Sequence, residues 1–272
     1  MGDSGGHISG TSFDGVRFEV VDRTALITLD RPEMGNSLTP TMGEAFRAIW
    51  TDVARDPKIR AVVVTGRGDR HFCTGIDVRE VARTGQTVAG DGPVIEAIPW
   101  SPHNFGVLKP VICALNGLVA GGGLHFVADA DIVLAADHVE FMDTHTSVGM
   151  VGAVENVGLT HRLPLGTVLR MTLWGRSYRL DAQRAYGLGL VDELCGAGQL
   201  LDRALALASE VSRNSPSAIA GSKLAIWSSL GRPRNDAEEY AWSLARAQRM
   251  HPDFIEGPRA FDERRNPIWS DD

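Results

Sequence analysis

The sequence predicts an α/β fold that ends in a helical region. Two buried strands, at 61–65 and 111–115, each run through a glycine-containing turn into the start of a helix. After about residue 200 the apolar residues keep helical spacing over several long segments, and no strand pattern returns. These observations predict three segments: a disordered lead-in at 1–14, an α/β core at 15–200 and a helical region at 201–272.

The composition indicates a globular protein with a substantial core. Of the 272 residues, 43% are hydrophobic and 22% are charged, and the formal net charge is -7. An acidic chain lacks the basic face that general nucleic-acid binding requires. Three cysteines without close spacing argue against a disulfide framework or a zinc site. We expect a cytoplasmic protein with reduced cysteines, no signal peptide, no membrane span and no nucleic-acid partner.

The first part of the core is predicted to alternate strands and helices. The apolar residues on both sides of Asp22-Arg23 predict a β-hairpin. Thr39-Pro40 predicts a helix start, because proline suits the first turn, and the apolar stripe of that helix places Trp50 in the core. After the strand at 61–65, a loop is expected to lead into a second helix near Asp77.

The segment from Lys109 to Asp131 gives the first indication of a site. Its strand is followed by the glycines 121–123 and then by apolar residues at helical spacing. Such a turn leaves backbone N–H groups unpaired at the helix start, where the helix dipole favours an anion. Gly75-Ile76 follows the earlier strand in the same way, so the two turns could direct two N–H groups to one oxygen, as in an oxyanion hole. The glycines would equally serve close packing of helix on strand, and this stretch alone leaves both interpretations open.

The remaining chain is predicted to hold three short strands and then mostly helices. The strands are expected at 131–135, 139–142 and 189–192, and the helices at 180–187, 200–212, 216–230, 236–250 and 257–263.

Several ordered motifs resemble the enoyl-CoA hydratase/isomerase (crotonase) superfamily. They are Arg31-Pro32 with Asn36-Ser37-Leu38, FCTGID at 72–77, Asn116-Gly117 with the glycines 121–123, DIVLA at 131–135, and the tail motif between Glu256 and Pro267. The resemblance covers nearly the whole chain from about Arg17. It implies a crotonase-like spiral of repeated ββα units with a helical C-terminal trimerisation region. It also implies an acyl-CoA thioester substrate, no cofactor beyond the coenzyme A of that substrate, and a homotrimer or a dimer of trimers.

The same resemblance assigns roles to individual residues. The backbone N–H groups of Ile76 and Gly122 would polarise the thioester carbonyl, and losing one such donor typically costs about 3–4 kcal/mol. The substrate-binding residues that it implies are Arg31, Met34, Asn36, Thr74, Gly75, Asp77, Gly121 and Arg79. For the CoA phosphates, Arg31, Arg79, Arg264 and Arg265 are the candidate cations.

The chain departs from the family pattern at its two catalytic glutamates. Hydratases of the family use this pair to hold and activate a water, whereas His125 and His145 stand at the corresponding positions here. A neutral imidazole can act as a general base near its ordinary pKa of about 6.5. We therefore predict catalytic roles for both histidines, in an enzyme that hydrates crotonyl-CoA inefficiently. No third ligand with suitable spacing accompanies them, so no metal is expected.

Two alternatives remain open at this point. The histidines could activate water for hydrolysis of a C–C bond in a β-diketone type of substrate, or the chain could be a non-catalytic scaffold that binds CoA esters. His103 lies near the position of a catalytic histidine in a dehalogenase branch, but the aspartate of that branch is missing at 152–154. The sequence leaves open whether Glu155 or His103 takes part, which acyl group is used, and whether the assembly is a trimer or a hexamer.

Overall fold

The computed structural model of the protein describes residues 10–85, 88–196 and 198–271. Its strands are β1 (Thr11–Phe13), β2 (Val16–Val21), β3 (Thr24–Leu29), β4 (Ala61–Gly66), β5 (His71–Cys73), β6 (Val111–Leu115), β7 (Leu118–Ala120), β8 (Ile132–Ala136), β9 (Glu140–Met142), β10 (Leu180–Asp181) and β11 (Glu193–Cys195). The helices of the core are α1 (Pro40–Arg55), α2 (Val78–Thr84), α3 (Val94–Ala97), α4 (Leu124–Ala128), α5 (Val154–Leu159), α6 (Leu165–Trp174) and α7 (Ala182–Gly187). Those that follow are α8 (Leu200–Val211), α9 (Pro216–Ser229), α10 (Arg234–Gln248) and α11 (Asp253–Asp262).

The described strands form two sheets. The larger has the order β1-β2-β3-β4-β6-β8-β11 and is parallel from β3 onward, and the smaller has the order β10-β9-β7-β5. Three successive units, β4-β5-α2, β6-β7-α4 and β8-β9-α5, each place their first strand in the large sheet and their second in the small one. This repetition is the predicted spiral of ββα units, and the predicted fold class is confirmed.

Both faces of the large sheet are covered, which explains its apolar strands. On one face Val62 and Val64 join the main core, which also buries Trp50 of α1. On the other face Ala61 and Val63 pack with α8, whose Ala204 is fully buried. A strand buried on two sides has no polar face, so it gives a continuous apolar run rather than an alternating one.

The boundary predicted near residue 200 falls at the first residue of α8. This helix packs on the large sheet through Leu200, Ala204 and Ala208. It therefore belongs to the same hydrophobic core as the strands before the boundary. The next two helices, α9 and α10, pack against each other. In the described chain, none of the helices combines the length and the apolar composition that a bilayer span requires.

Three predictions of local structure need correction. Residues 1–9 lie outside the described residues, but β1 pairs with β2 through Thr11 and Phe18, so the lead-in predicted to reach residue 14 was too long. The strand predicted at 189–192 lies instead at β11, where Glu193 aligns with Leu134 of β8. The sequence interpretation also missed β5 and β7, because three-residue strands carry almost no periodicity.

Candidate active site

The two glycine turns meet where the smaller sheet ends. Gly75 has a φ of +87°, and a Cβ atom there would lie 2.7 Å from the backbone nitrogen of Gly122. Only glycine allows this conformation and this contact together. The parallel strands β5 and β7 lie side by side directly before the two turns, which explains why the turns are neighbours. The expectation that they lie close together is therefore met by the geometry.

The backbone N–H groups of Ile76 and Gly122 are not used by the regular structure around them. Leu38 donates its N–H to Gly75 O at 2.8 Å and accepts from Asp77 N at 3.1 Å, so Ile76 between them directs its own N–H to the other side. Gly122 is the second residue of a short 3-10 helix, Gly121–Gly123, where an N–H has no acceptor within the helix. The two N–H groups are thus candidate donors to a ligand, and their action on one oxygen stays a prediction.

A cleft of about 340 Å³ opens beside these turns. Five residues of the predicted site line it, namely Met34, Thr74, Ile76, Asp77 and Arg79. Thr144 and Val148, from the loop that carries His145, line its other side. Gly121 also faces this loop, since a Cβ atom there would lie 3.0 Å from Thr144 Oγ1 and 3.8 Å from His145 Cε1.

Asn36 supports the cleft but does not line it. Its side chain is fully buried, accepts from Arg31 N at 2.9 Å and donates to the carbonyl oxygens of Arg67 and His71. Asn116 ties the same loop from the other side, with Nδ2 donating to Gly68 O at 2.9 Å and to His71 O at 3.0 Å. Asn36 is thus placed to hold the 67–71 loop, and its part in substrate binding stays a prediction.

The predicted arginines are placed unequally. Arg79 is exposed at the cleft, whereas Arg31 is half-buried, donates to Ser37 O at 2.7 Å and pairs with Asp77 at 3.4 Å. Arg265 is bound by Glu256 and Glu263 beside α11, and Arg264 is exposed after the same helix. Arg31, Arg264 and Arg265 do not line the cleft as the structure describes it.

Glu155 lies between the two predicted catalytic histidines. One of its carboxylate oxygens, Oε2, is 3.2 Å from Nε2 of His125, and the other, Oε1, is 3.2 Å from Nε2 of His145. The side chains of Glu155 and His125 are each 6% exposed. Helix α5 carries Glu155 into the site because the loop after β9 folds back over α4. The sequence left open whether Glu155 takes part, because the length of the loop before it made its alignment with the family insecure.

His145 is held at both ring nitrogens. Its Nδ1 is hydrogen-bonded to Asp143 Oδ1 at 2.8 Å, while its Nε2 faces Glu155. The fully buried Asp143 also accepts from the backbone N–H of His145 and, at 2.7 Å, from Asn156 Nδ2, which in turn donates to Thr172 Oγ1. With a carboxylate oxygen at each nitrogen, the ring is best satisfied when both nitrogens carry hydrogen. This arrangement therefore favours the protonated form of His145.

The pKa values agree with this charge assignment. Burial lowers the pKa of His145, but the hydrogen bond to Asp143 and the charges of Glu155 and Asp143 outweigh it, so the pKa is raised. For Glu155, burial raises the pKa, but the hydrogen bond to His125 and the two histidine charges lower it further. Burial likewise raises the pKa of Asp143, while its bonds to His145 and Asn156 bring it below the ordinary range. Both carboxylates therefore favour their ionised forms beside these histidines.

His125 retains one unused nitrogen. Its Nε2 faces Glu155, and within the described residues its Nδ1 has no hydrogen-bond partner. His125 and Gly122 are three residues apart across the junction of the 3-10 helix and α4, which places them on the same face. A neutral imidazole whose Nε2–H is held by a carboxylate presents its Nδ1 lone pair as a base.

Two other residues are excluded from the candidate machinery. His103 packs its ring against Trp227, with centroids 4.3 Å apart, and burial lowers its pKa. Cys73 is fully buried next to the glycine turns, and this burial raises the pKa of its thiol to about 12, so it is no nucleophile at neutral pH. In the ranges that the structure describes, no group of three His, Cys, Asp or Glu side chains is arranged to hold a metal ion.

Comparison with known proteins identifies the family. Residues 20–272 match the model of the family described as enoyl-CoA hydratase/isomerase. The (E)-benzylidenesuccinyl-CoA hydratase of Thauera aromatica is 31% identical over 255 residues, which cover 93% of this chain and 98% of that protein. The carnitinyl-CoA dehydratase of Escherichia coli K12 is 31% identical over 250 residues, covering 89% and 93%.

Solved structures give the same answer. A crystal structure of an enoyl-CoA hydratase/isomerase from Mycobacterium paratuberculosis is similar with a TM-score of 0.86 and 38% sequence identity, covering 96% of this chain and 100% of that one. An enoyl-CoA hydratase from Mycobacterium tuberculosis H37Rv has a TM-score of 0.85 and 28% identity, covering 95% and 99%. The predicted resemblance is confirmed: the chain belongs to the enoyl-CoA hydratase/isomerase family.

Proposed function

We propose that the protein catalyses reversible addition of water to an α,β-unsaturated acyl-CoA thioester. The observation that carries this proposal is the pair formed by His125 and Glu155, with one imidazole nitrogen held and the other unused, next to the Gly122 turn. The hydratase and dehydratase names of the relatives support the same reaction class.

In the hydration direction, His125 acts as the general base. Its Nδ1 takes a proton from water as the water oxygen bonds to the β-carbon, and the electron pair of the double bond moves toward the thioester carbonyl. The resulting enolate oxygen is held by the N–H groups of Ile76 and Gly122. The protonated His125 then gives a proton to the α-carbon, which completes the addition and returns the neutral ring.

Glu155 and His145 hold the base in place. The carboxylate of Glu155 fixes the Nε2–H tautomer of His125 and stabilises the imidazolium that forms during the reaction, as an aspartate does in a Ser-His-Asp triad. His145, fixed as a cation by Asp143, pairs with the other oxygen of the same carboxylate. We thus assign the chemical step to His125 and a positioning role to His145, in place of the equal roles expected from the sequence.

The substrate and assembly follow the family. Coenzyme A is part of the substrate, with Arg79 the candidate cation at the cleft and no further cofactor proposed. We propose a homotrimer or a dimer of trimers, supported by an exposed apolar stripe on α6 formed by Leu165, Leu169 and Leu173. We also propose a cytoplasmic location, supported by the three free, buried cysteines.

Two alternatives, one other reaction and one non-catalytic role, remain for the test to separate. An imidazole base would also activate water for attack on a β-ketone, so His125 with Glu155 suits the C–C hydrolase alternative as well. A single carboxylate in place of the family pair supports our expectation that crotonyl-CoA is a poor substrate. The scaffold alternative requires CoA-ester binding without turnover.

The test combines binding and turnover on the intact protein. Calorimetry would measure binding of crotonyl-CoA, an aryl-substituted enoyl-CoA and a β-diketone thioester, and ultraviolet absorbance would follow loss of the enoyl band. We expect the larger enoyl thioester to be hydrated and the reaction to be lost in His125→Ala but kept in His161→Ala, where the histidine is exposed. Cleavage of the diketone alone would favour the C–C hydrolase, and binding without any turnover would favour the scaffold.

A further inference from the structure

The C-terminal end of α6 is hydrogen-bonded to the loop that carries His145. Thr146 Oγ1 donates to Thr172 O at 2.8 Å, and the backbone N–H of Arg176 donates to Ser147 Oγ at 2.9 Å. Both acceptors and donors of this contact lie within two residues of His145 on the loop side. The position of the loop therefore depends on α6 as well as on β9, the strand before it.

Thr172 contacts the site a second time, through its side chain. Its Oγ1 accepts from Asn156 Nδ2 at 2.9 Å, and the same amide nitrogen donates to Asp143 Oδ2 at 2.7 Å, so both amide hydrogens are used. The other oxygen of Asp143, Oδ1, is bonded to Nδ1 of His145 at 2.8 Å. Each oxygen of this fully buried carboxylate thus has its own partner, which fixes its rotation toward the imidazole.

Helix α5 contacts the imidazole of His145 from two sides. Glu155 Oε1 lies 3.2 Å from Nε2 of the ring, and the next residue, Asn156, reaches Nδ1 through Asp143. Successive residues of a helix point in different directions, so one turn can hold both sides of one ring. The ring orientation is therefore set by contacts from α5 and α6 and not by its own loop alone.

Gly152 closes over this network. A Cβ atom there would lie 2.5 Å from Asn156 Nδ2, 2.9 Å from Asp143 Oδ2 and 3.1 Å from His145 Nδ1. The backbone at Gly152 therefore lies directly against all three polar groups and leaves no room for a side chain. Asp143 and Asn156 are both buried, so their hydrogen bond is made away from solvent, where such bonds are stronger.

We propose that Asn156 and Thr172 are positioning residues for the reaction proposed above. Together they fix the carboxylate of Asp143, which aligns His145, and His145 aligns Glu155, whose other oxygen holds the imidazole base. The last link, from Glu155 to the base, rests on the proposed function, whereas the hold on His145 does not.

The first experiment follows the Nδ1–H proton of His145 by NMR in the intact protein without substrate. A proton held between a buried imidazole and a carboxylate is protected from exchange with water, and His145→Gln identifies its signal. We expect this signal to be lost in Asn156→Leu and in Thr172→Val, and to return in Thr172→Ser, which restores the hydroxyl. Thr160→Val removes an exposed hydroxyl at the end of α5 and should leave the signal unchanged.

Turnover of the enoyl thioester identified by the substrate panel then tests the link to the base. Asn156→Leu should lower kcat by about tenfold with little change in KM, because the contacts of the substrate remain while the base is less well aligned. Thr172→Val should lower kcat less, and Thr172→Ser should restore it. Gly152→Ala should repeat the loss by displacing the amide, whereas Gly166→Ala in α6, with open space at its Cβ position, is the matched control.

The outcomes separate the positioning role from the reaction. A signal of His145 that persists in both Asn156→Leu and Thr172→Val would overturn the proposal, and a lowered Tm alone would then mark these contacts as structural. If Asn156→Leu does not fold, the pair of Thr172 variants decides. A lost signal with full kcat would overturn the link to the base. A lost signal in the variants of a protein that turns over no substrate would support the hold on His145 and count against the proposed reaction alone.

Discussion

Nε2 of His125 lies 3.2 Å from Oε2 of Glu155, and both side chains are shielded from solvent. One residue belongs to the helix after the second glycine turn and the other to the helix that folds back over it. A buried imidazole with a carboxylate on one nitrogen is oriented in one tautomer and can accept a proton at the other. In the proposed reaction, His125 as base and Glu155 as its orienting group take the place of the two carboxylates expected of a family hydratase.

Replacing either member of the pair should slow the chemical step. His125→Ala removes the base, and we expect a loss of about 10²–10⁴ in kcat with the substrate found by the panel. Glu155→Gln keeps the shape but removes the charge that stabilises the imidazolium, so kcat should fall while KM changes little. Steady-state kinetics would check both variants. A full rate in His125→Ala would refute the assignment of the base.

The contact between the turns predicts a sharp effect at Gly75. In Gly75→Ala the new methyl group would meet the nitrogen of Gly122, so the two N–H donors would be pushed apart. We expect a kcat loss of about 10²–10³, the range seen when one oxyanion donor is lost. Gly189→Ala is the matched control, because Gly189 has a φ of +83° and open space around its Cβ position. Equal losses in the two variants would point to backbone strain alone.

The charge on His145 predicts a pH-dependent stability. Because its pKa is raised on folding, its contribution is complete below the unfolded value of about 6.5 and is lost as pH rises through the folded value. The free energy of unfolding of the unmodified protein should therefore exceed that of His145→Gln most at pH 6 and less at pH 9. Denaturant titrations across this range would measure the difference. A difference that stays constant with pH in His145→Gln would refute the imidazolium assignment.

The buried pair between Lys223 and Asp131 should matter more for stability than an exposed one. Lys223 Nζ donates to Asp131 at 2.7 Å and to Lys109 O at 2.8 Å, and its side chain is 7% exposed. Lys223→Ala leaves Asp131 without its cation and should lower the free energy of unfolding by about 3 kcal/mol. Arg234→Ala breaks a pair with Glu238 on the surface of α10 and should cost at most about 0.5 kcal/mol. Urea unfolding of the two variants would compare them directly.

The parts of the fold that could be predicted were those with a clear pattern. Strands buried on both sides, such as β4 and β6, were found because their apolar runs are continuous. Helix α1 was found because Thr39 caps it and Pro40 opens it. The smaller sheet was largely missed, since strands of two or three residues depend on partners distant in sequence.

The sequence predicted which residues form the candidate site better than it predicted their charges. His125, His145 and the two donor residues could be placed from local motifs. The position of Glu155 depended on the path of the loop after β9, which no local pattern fixes. The charge of His145 depended on two contacts of its ring. The carboxylate of Asp143, two residues earlier, contacts one ring nitrogen, and Glu155 contacts the other. Both are properties of the folded loop.

The loop at residues 67–71, before the turn that contains Ile76, is held by the side-chain amides of Asn36 and Asn116. The loop is therefore sensitive to chemical change of these amides. Asn116 precedes Gly117, and asparagine is among the residues most easily lost on heating. Deamidation would convert its Nδ2 donor into an acceptor that faces the carbonyl oxygens of Gly68 and His71. Oxygens that repel one another would then replace two hydrogen bonds next to β5, the strand that precedes the turn at Ile76. Deamidation of Asn116 would thus weaken one of the two amide contacts that hold this loop, and Asn36 would be left as the other.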